Sequence, residues 1–193
     1  MAYEVYRQNR IEQGLLYQDF VVDLLLHTLG LAVVQYASRV YQTQIGESRT
    51  GVEIKYQDMY KKTGNLWIET AEKARPRPGD YVPSGISNRA HDNAWLFVTG
   101  DYDTVFGFPK RLLQALDASG RYPQRENNTQ TSVGYLLPDG HARKYAAFVL
   151  RPQANQKVEK AVQDLQALGR LLHQEVLGNR AQASLFDEPD TAA

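Results

Sequence analysis

The chain has 193 residues, 22 acidic against 22 basic side chains and 42% apolar residues, which suits one soluble domain with an appended segment and a real core. Charge neutrality argues against coating nucleic acid by charge alone, while leaving room for a local basic surface. The lack of cysteine excludes a disulfide framework, a thiolate zinc site and a cysteine nucleophile, and fits a reducing, cytoplasmic interior.

From the N-terminus, MAYEVYRQNR is polar and lacks the apolar stretch of a signal peptide. The longest apolar run, VVDLLLHTLGLAVV, is broken by Asp23, His27 and Gly30, which argues against a membrane span. Helical spacing of Ile11, Leu15, Leu16, Val22, Leu25, Leu26 and Leu29 predicts a first helix, with Gly30 placed to close it in the left-handed conformation. LAVVQYASRVYQTQIGE, GVEIKYQ and NLWIETAEK are rich in β-branched and aromatic residues and read as a three-strand meander. A loop dense in Pro, Gly, Ser and Asn follows over residues 74–94, then the strands WLFVTG and DTVFGF joined by a tight turn at Gly100-Asp101. Pro109 opens a helix through KRLLQALD, an Asn-rich loop spans 119–131, TSVGYLL reads as a strand, PDG as a turn and HARKYAAFVL as a helix. Val158, Val162, Leu165, Leu168, Leu172 and Val176 form an apolar stripe that predicts a helix over 156–177. This order implies an α+β (mixed α/β) domain over residues 1–152 on a largely antiparallel central sheet flanked by helices. A long C-terminal helix over 153–178 is expected to pack on it, followed by a mobile tail over 179–193.

The segment YQTQIGESRTGVEIKYQ has the form of a three-residue hairpin loop. A type I turn through Arg49-Thr50 followed by a left-handed Gly51 makes a bulge that sets the register. Ser48 then pairs with Val52, and Glu47 faces Glu53. Lys55 shares the face of Glu53, while Val52, Ile54 and Tyr56 point the other way. Like charges opposite one another repel. Either the glutamates face solvent on an ordinary amphipathic hairpin, or a cation lies between them. Two carboxylates beside a lysine suit magnesium, which takes oxygen ligands and often only one or two protein carboxylates plus substrate phosphate.

An acidic residue, a tight turn and then Gly-Val-Glu-Ile-Lys resembles the catalytic hairpin of the PD-(D/E)XK nuclease superfamily, and the short spacing is most similar to its MutH type. The longer string from Glu47 through TGNLWIETAEK and WLFVTGDY also resembles small phage and bacterial nuclease-like proteins, over roughly residues 12–108. The resemblance implies a restriction-endonuclease-like core, a magnesium cofactor that manganese can replace, and DNA as substrate. It places Glu47 as the first acid, Glu53 as the second and Lys55 as the lysine. Glu47 departs from the usual Asp, so a longer side chain must reach the same ion. Glu12 matches a helix acid that assists the metal in this superfamily; the alternative is a first-turn acid answering the helix dipole. If Gln57 pairs with Asn65 in a second hairpin, Glu69 falls opposite Glu53 and completes the site; otherwise it is a charge on a half-exposed strand.

The loop SGISNRAHDN offers Ser84, Ser87, Asn88, Arg89, His91 and Asn93 for phosphates and base edges, and Lys61, Lys62, Lys110 and Arg111 are candidate backbone cations. QASLF in the tail is similar to the bacterial sliding-clamp-binding motif, with Gln182, Leu185 and Phe186 at the matching positions; the alternative folds Leu185 and Phe186 onto the domain. Two functions stand side by side: a metal-dependent DNA endonuclease, and a nuclease-fold adaptor that binds DNA or clamp without cutting. Symmetric double-strand cutting would call for a homodimer, and a monomeric nickase is equally consistent.

Overall fold

The computed structural model describes residues 2–35, 48–73, 80–87, 92–152 and 157–161. Within them the chain forms helices α1 (Ala2–Leu29), α2 (Tyr60–Thr63), α3 (Lys110–Ala118) and α4 (Asp139–Tyr145). The strands are β1 (Val52–Tyr56), β2 (Asn65–Glu72), β3 (Val82–Pro83), β4 (Leu96–Gly100), β5 (Val105–Pro109), β6 (Arg125–Glu126), β7 (Ser132–Pro138), β8 (Phe148–Arg151) and β9 (Lys157–Ala161). The chain is of the α+β class, and among the described strands only the β1–β4 pair runs parallel. No helix among the described residues is long and apolar enough to cross a membrane.

In place of one central sheet there are two: β1-β4-β5-β8-β9 and β3-β2-β7-β6. The expected meander through β1 and β2 does not form. The helical turn α2 and Gly64, at φ 65°, separate the two strands, and β1 instead pairs with β4, Glu53 standing beside Phe97. A parallel pair needs a long crossover, and the chain between β1 and β4 includes α2, β2 and β3. Gln57 still ties the sheets together, because its side chain donates to Trp67 O at 2.9 Å and accepts from Trp67 N at 3.1 Å.

Two cores sandwich the first sheet. On one face Tyr17, Val21, Leu24 and Leu25 of α1 pack on Val52, Ile54, Leu96, Val98, Val105, Phe148 and Leu150. On the other, Phe97, Phe106 and Phe108 meet Leu66, Ile68, Tyr135 and Leu137 of the second sheet together with Leu112, Leu113 and Leu116 of α3. Strand alternation thus works as expected at β1: Val52 and Ile54 face α1, and Glu53 turns toward the second sheet.

The first helix ends at Gly30 as its position predicts. Gly30 has φ 65°, and its N–H donates to Leu26 O at 3.0 Å. It begins earlier than the apolar spacing suggests, so Glu12 lies inside α1 rather than in its first turn. Two other segments differ from expectation. Asp139-Gly140 opens α4 instead of making a turn, and that helix stops at Tyr145, leaving Phe148–Arg151 as β8. Residues 157–161, expected as helix, form β9 against β8, with Phe148 opposite Ala161. The remainder of the predicted C-terminal helix, and the tail with Gln182, Leu185 and Phe186, lie outside the described residues.

Candidate functional site

Gly51 and Ser48 set the start of β1. Gly51 has φ 72°, the left-handed conformation the hairpin reading requires, and its N–H donates to Ser48 O at 3.3 Å. Ser48 reaches Val52 through its side chain: Oγ accepts from Val52 N at 2.8 Å and donates to Val52 O at 2.9 Å. The Ser48 backbone bridges Gln35, and Arg49 N donates to Val34 O at 2.6 Å. Glu47 lies outside the described residues, as do Asn88, Arg89 and His91.

Glu53 and Lys55 stand two residues apart on β1, with Lys55 Nζ 3.3 Å from Glu53 Oε1. Glu53 is only 6% exposed. Its other oxygen meets Lys110 Nζ at 3.3 Å, and Lys110 in turn pairs with Asp92 Oδ2 at 2.6 Å. Lys110 is 2% exposed, so it is not a cation offered to a DNA backbone as its sequence context suggests. The result is an alternating chain of charge, Lys55, Glu53, Lys110 and Asp92, that sums to zero where the two sheets and α3 meet. Burying these groups costs several kcal/mol each unless they are paired, and here each has a partner.

Lys110 was legible in one respect. It is the first residue of α3 after Pro109, and a cation at a helix N-terminus opposes the macrodipole unless an anion stands nearby. Its spacing to the buried Leu113 also puts it on the inward face. Asp92 had no such signal. Its Oδ1 accepts from Ala94 N at 2.9 Å, a local turn that aims the other oxygen at Lys110.

Glu69 arrives from the other sheet. It does not face Glu53 across a hairpin, since its ladder partner is Gly134 on β7. It still lies within the field of Lys55, and it accepts from Ser84 Oγ at 2.7 Å. Burial pushes the Glu69 carboxyl above its ordinary value against the opposing pull of Ser84 and Lys55. A raised carboxyl favours the protonated fold. Its contribution to stability is therefore complete below the ordinary glutamate value and is lost as pH rises through the folded one. Glu69→Gln should accordingly be more stable than the parent at about pH 7, with the gap closing by about pH 4, as read by urea denaturation at both pH values. A gap that widens toward acid would reverse the assignment.

Of the residues offered by sequence as DNA contacts, buried Ser84 donates to Glu69, and exposed Asn93 donates through Nδ2 to Ser48 O at 3.0 Å. Glu12 is exposed on α1. Lys61 pairs with Asp103 at 2.5 Å on the surface, while Lys62 and Arg111 are exposed. Among the described residues no three His, Cys, Asp or Glu side chains gather as metal ligands. Glu53 and Glu69 offer oxygen donors alone, chemistry that suits a hard divalent cation rather than zinc. Comparison with protein-family models, curated proteins and solved structures finds no match to the chain.

Proposed function

We propose that the chain is a magnesium-dependent endonuclease that hydrolyses DNA phosphodiesters, with manganese able to substitute, brought to replicating DNA by the clamp-like motif at Gln182, Leu185 and Phe186. The observation that supports this reading most is the placement of Glu53 and Lys55: one face of one strand, 3.3 Å between charged atoms, beside the Glu69 carboxyl of the other sheet. Magnesium held by Glu53 together with Glu47 would polarise the phosphodiester and furnish a nucleophilic water. Lys55, with 35% of its side chain exposed, reaches solvent while still tied to Glu53. Its ammonium stabilises the negative charge that grows on the phosphoryl oxygens as the water oxygen bonds to phosphorus and the ester P–O bond breaks. Lys110, wholly buried, serves Glu53 and not the substrate.

One observation favours the non-cutting adaptor as second reading. Both Glu53 oxygens already meet an ammonium, so its charge is compensated without a metal. Plasmid nicking decides between the two. The purified protein should convert supercoiled DNA with millimolar magnesium, and Glu53→Gln and Lys55→Ala should each slow it about 100-fold or more with unchanged circular dichroism. Glutamine at 53 is the better probe than alanine, because it still offers Lys110 an oxygen. Deleting residues 180–193 should remove clamp affinity and leave cleavage of naked DNA intact. If neither magnesium nor manganese supports cutting of any DNA form, the adaptor reading replaces the enzyme.

A further inference from the structure

Trp95 is 56% exposed, among the largest apolar surfaces the described residues leave to solvent, yet its indole and its backbone are both hydrogen-bonded within the protein. Its indole N–H donates to Thr50 O at 2.9 Å. Its backbone N–H donates to Gly51 O at 2.9 Å, and its carbonyl accepts from Lys110 N at 2.8 Å. The ring edge lies against Gly51 so closely that a Cβ there would stand 2.6 Å from Trp95 Cδ1. Asn93 and Leu96 add bonds to Ser48 and Gly51 on either side. A large ring fixed in solvent has already lost its conformational freedom, so binding on its face costs little further ordering.

Its position ties it to the cluster described above. The residue whose N–H meets the Trp95 carbonyl is Lys110, whose ammonium pairs with Glu53. Trp95 precedes β4 by one residue, and Phe97 of that strand is the ladder partner of Glu53. Arg49, next to Thr50, and Arg111, next to Lys110, are both exposed. An exposed aromatic face on backbone whose neighbours along the chain include exposed arginines has the elements of a single-strand site, where bases stack and phosphates meet positive charge. The only donor of the indole is used within the protein, so the ring offers a face and no hydrogen bond. Such a surface accepts any base and reads no sequence. Inside a duplex both faces of a base are covered by its neighbours, so a base must leave the stack to use it.

We infer that Trp95 is the stacking surface for an unpaired DNA base, making single-stranded or locally unpaired DNA the substrate class of the proposed site; this rests on the nuclease reading for its choice of nucleic acid. The test is read without metal or cleavage. Trp67→Phe leaves Trp95 as the sole indole of a chain with two tryptophans. In EDTA, a thymidine oligomer should quench its fluorescence, and the same backbone with abasic sugars should not. Trp95→Ala should weaken single-strand binding about 10-fold or more, in line with the loss of one stacked base. Trp95→Phe should keep most of the affinity, which guards against a folding defect, and duplex binding should be unchanged. Abasic and base-bearing oligomers binding alike, or single-strand and duplex affinity falling together in Trp95→Ala, would overturn the inference. Cutting that depends on Glu53 and Lys55 with a dispensable Trp95 removes this inference alone. Base-dependent quenching without any cutting removes only the enzymatic reading.

Discussion

Lys110→Met should lower the unfolding free energy by about 3–5 kcal/mol, because it takes the ammonium from between two poorly solvated carboxylates and leaves Glu53 with Lys55 against the nearby charge of Asp92. Glu53 and Asp92 are both at or near full burial, with 8% and 13% of their side chains exposed. Removing the ammonium between them leaves like charges facing one another in a poorly solvated space. The midpoint should fall by roughly 6–20 °C for a chain of this size. Adding Glu53→Gln should recover part of the loss, since a neutral amide no longer needs a counter-charge, and the size of that recovery measures the coupling of the pair. The control is Lys61→Met, which breaks the exposed pair with Asp103 and should leave the midpoint where it was. If Lys110→Met unfolded at the parent midpoint, the four-charge chain would not be what holds this corner together.

Gly85→Ala should cost about 2–4 kcal/mol, from two separate effects at one residue. Gly85 has φ 56°, a conformation that side chains disfavour. A Cβ built there would also lie 2.3 Å from Glu69 O. That oxygen belongs to the backbone of β2 and cannot swing aside as a side chain would. The turn through residues 84–87 must then lift off the sheet. Two bonds go with it: Ile86 N to Glu69 O at 3.0 Å and Ser84 Oγ to Glu69 Oε1 at 2.7 Å. Ile86 is buried in the core between the sheets, so its displacement adds to the loss. Thermal unfolding of the variant checks the cost, and a Gly85→Ala protein of parental stability would show that the turn gives way more easily than a backbone clash allows.

The sequence was most readable where a single residue forces a local geometry. Gly30 and Gly51 take left-handed conformations as their contexts require. Pro109 stands at the entry to α3. Alternation along β1 correctly separates Val52 and Ile54 from Glu53. These depend on neighbours within a few residues. What failed was pairing. The expectation that Gln57 meets Asn65 assumes that consecutive strands join one sheet, whereas α2 redirects the chain and the Gln57 side chain reaches the Trp67 backbone instead. Lys157-Val158-Glu159-Lys160-Ala161 breaks strand alternation with two consecutive polar residues, which favours the helical stripe, yet it pairs with β8 through a register shift between Val149 and Leu150 that absorbs the extra residue. Of the candidate cluster, strand spacing placed Glu53 and Lys55 on a common face, as the structure has them, and the hairpin expected to set Glu69 opposite Glu53 does not form. Lys110, and Asp92 with Trp95 three residues beyond it, come from segments distant in sequence from β1 that meet it only in the fold.

The parallel register of β1 on β4, Val52 beside Leu96, also bears on when the charged corner comes into being. A hairpin can zip from its turn, but this pair must first draw together two distant stretches and pay the closure entropy in a single event. Until that happens Glu53 has neither Lys110 nor Asp92 beside it. A nascent or partly unfolded chain therefore carries the Glu-Ile-Lys strand without the surroundings that orient it, and any chemistry the strand supports is confined to molecules that have completed folding.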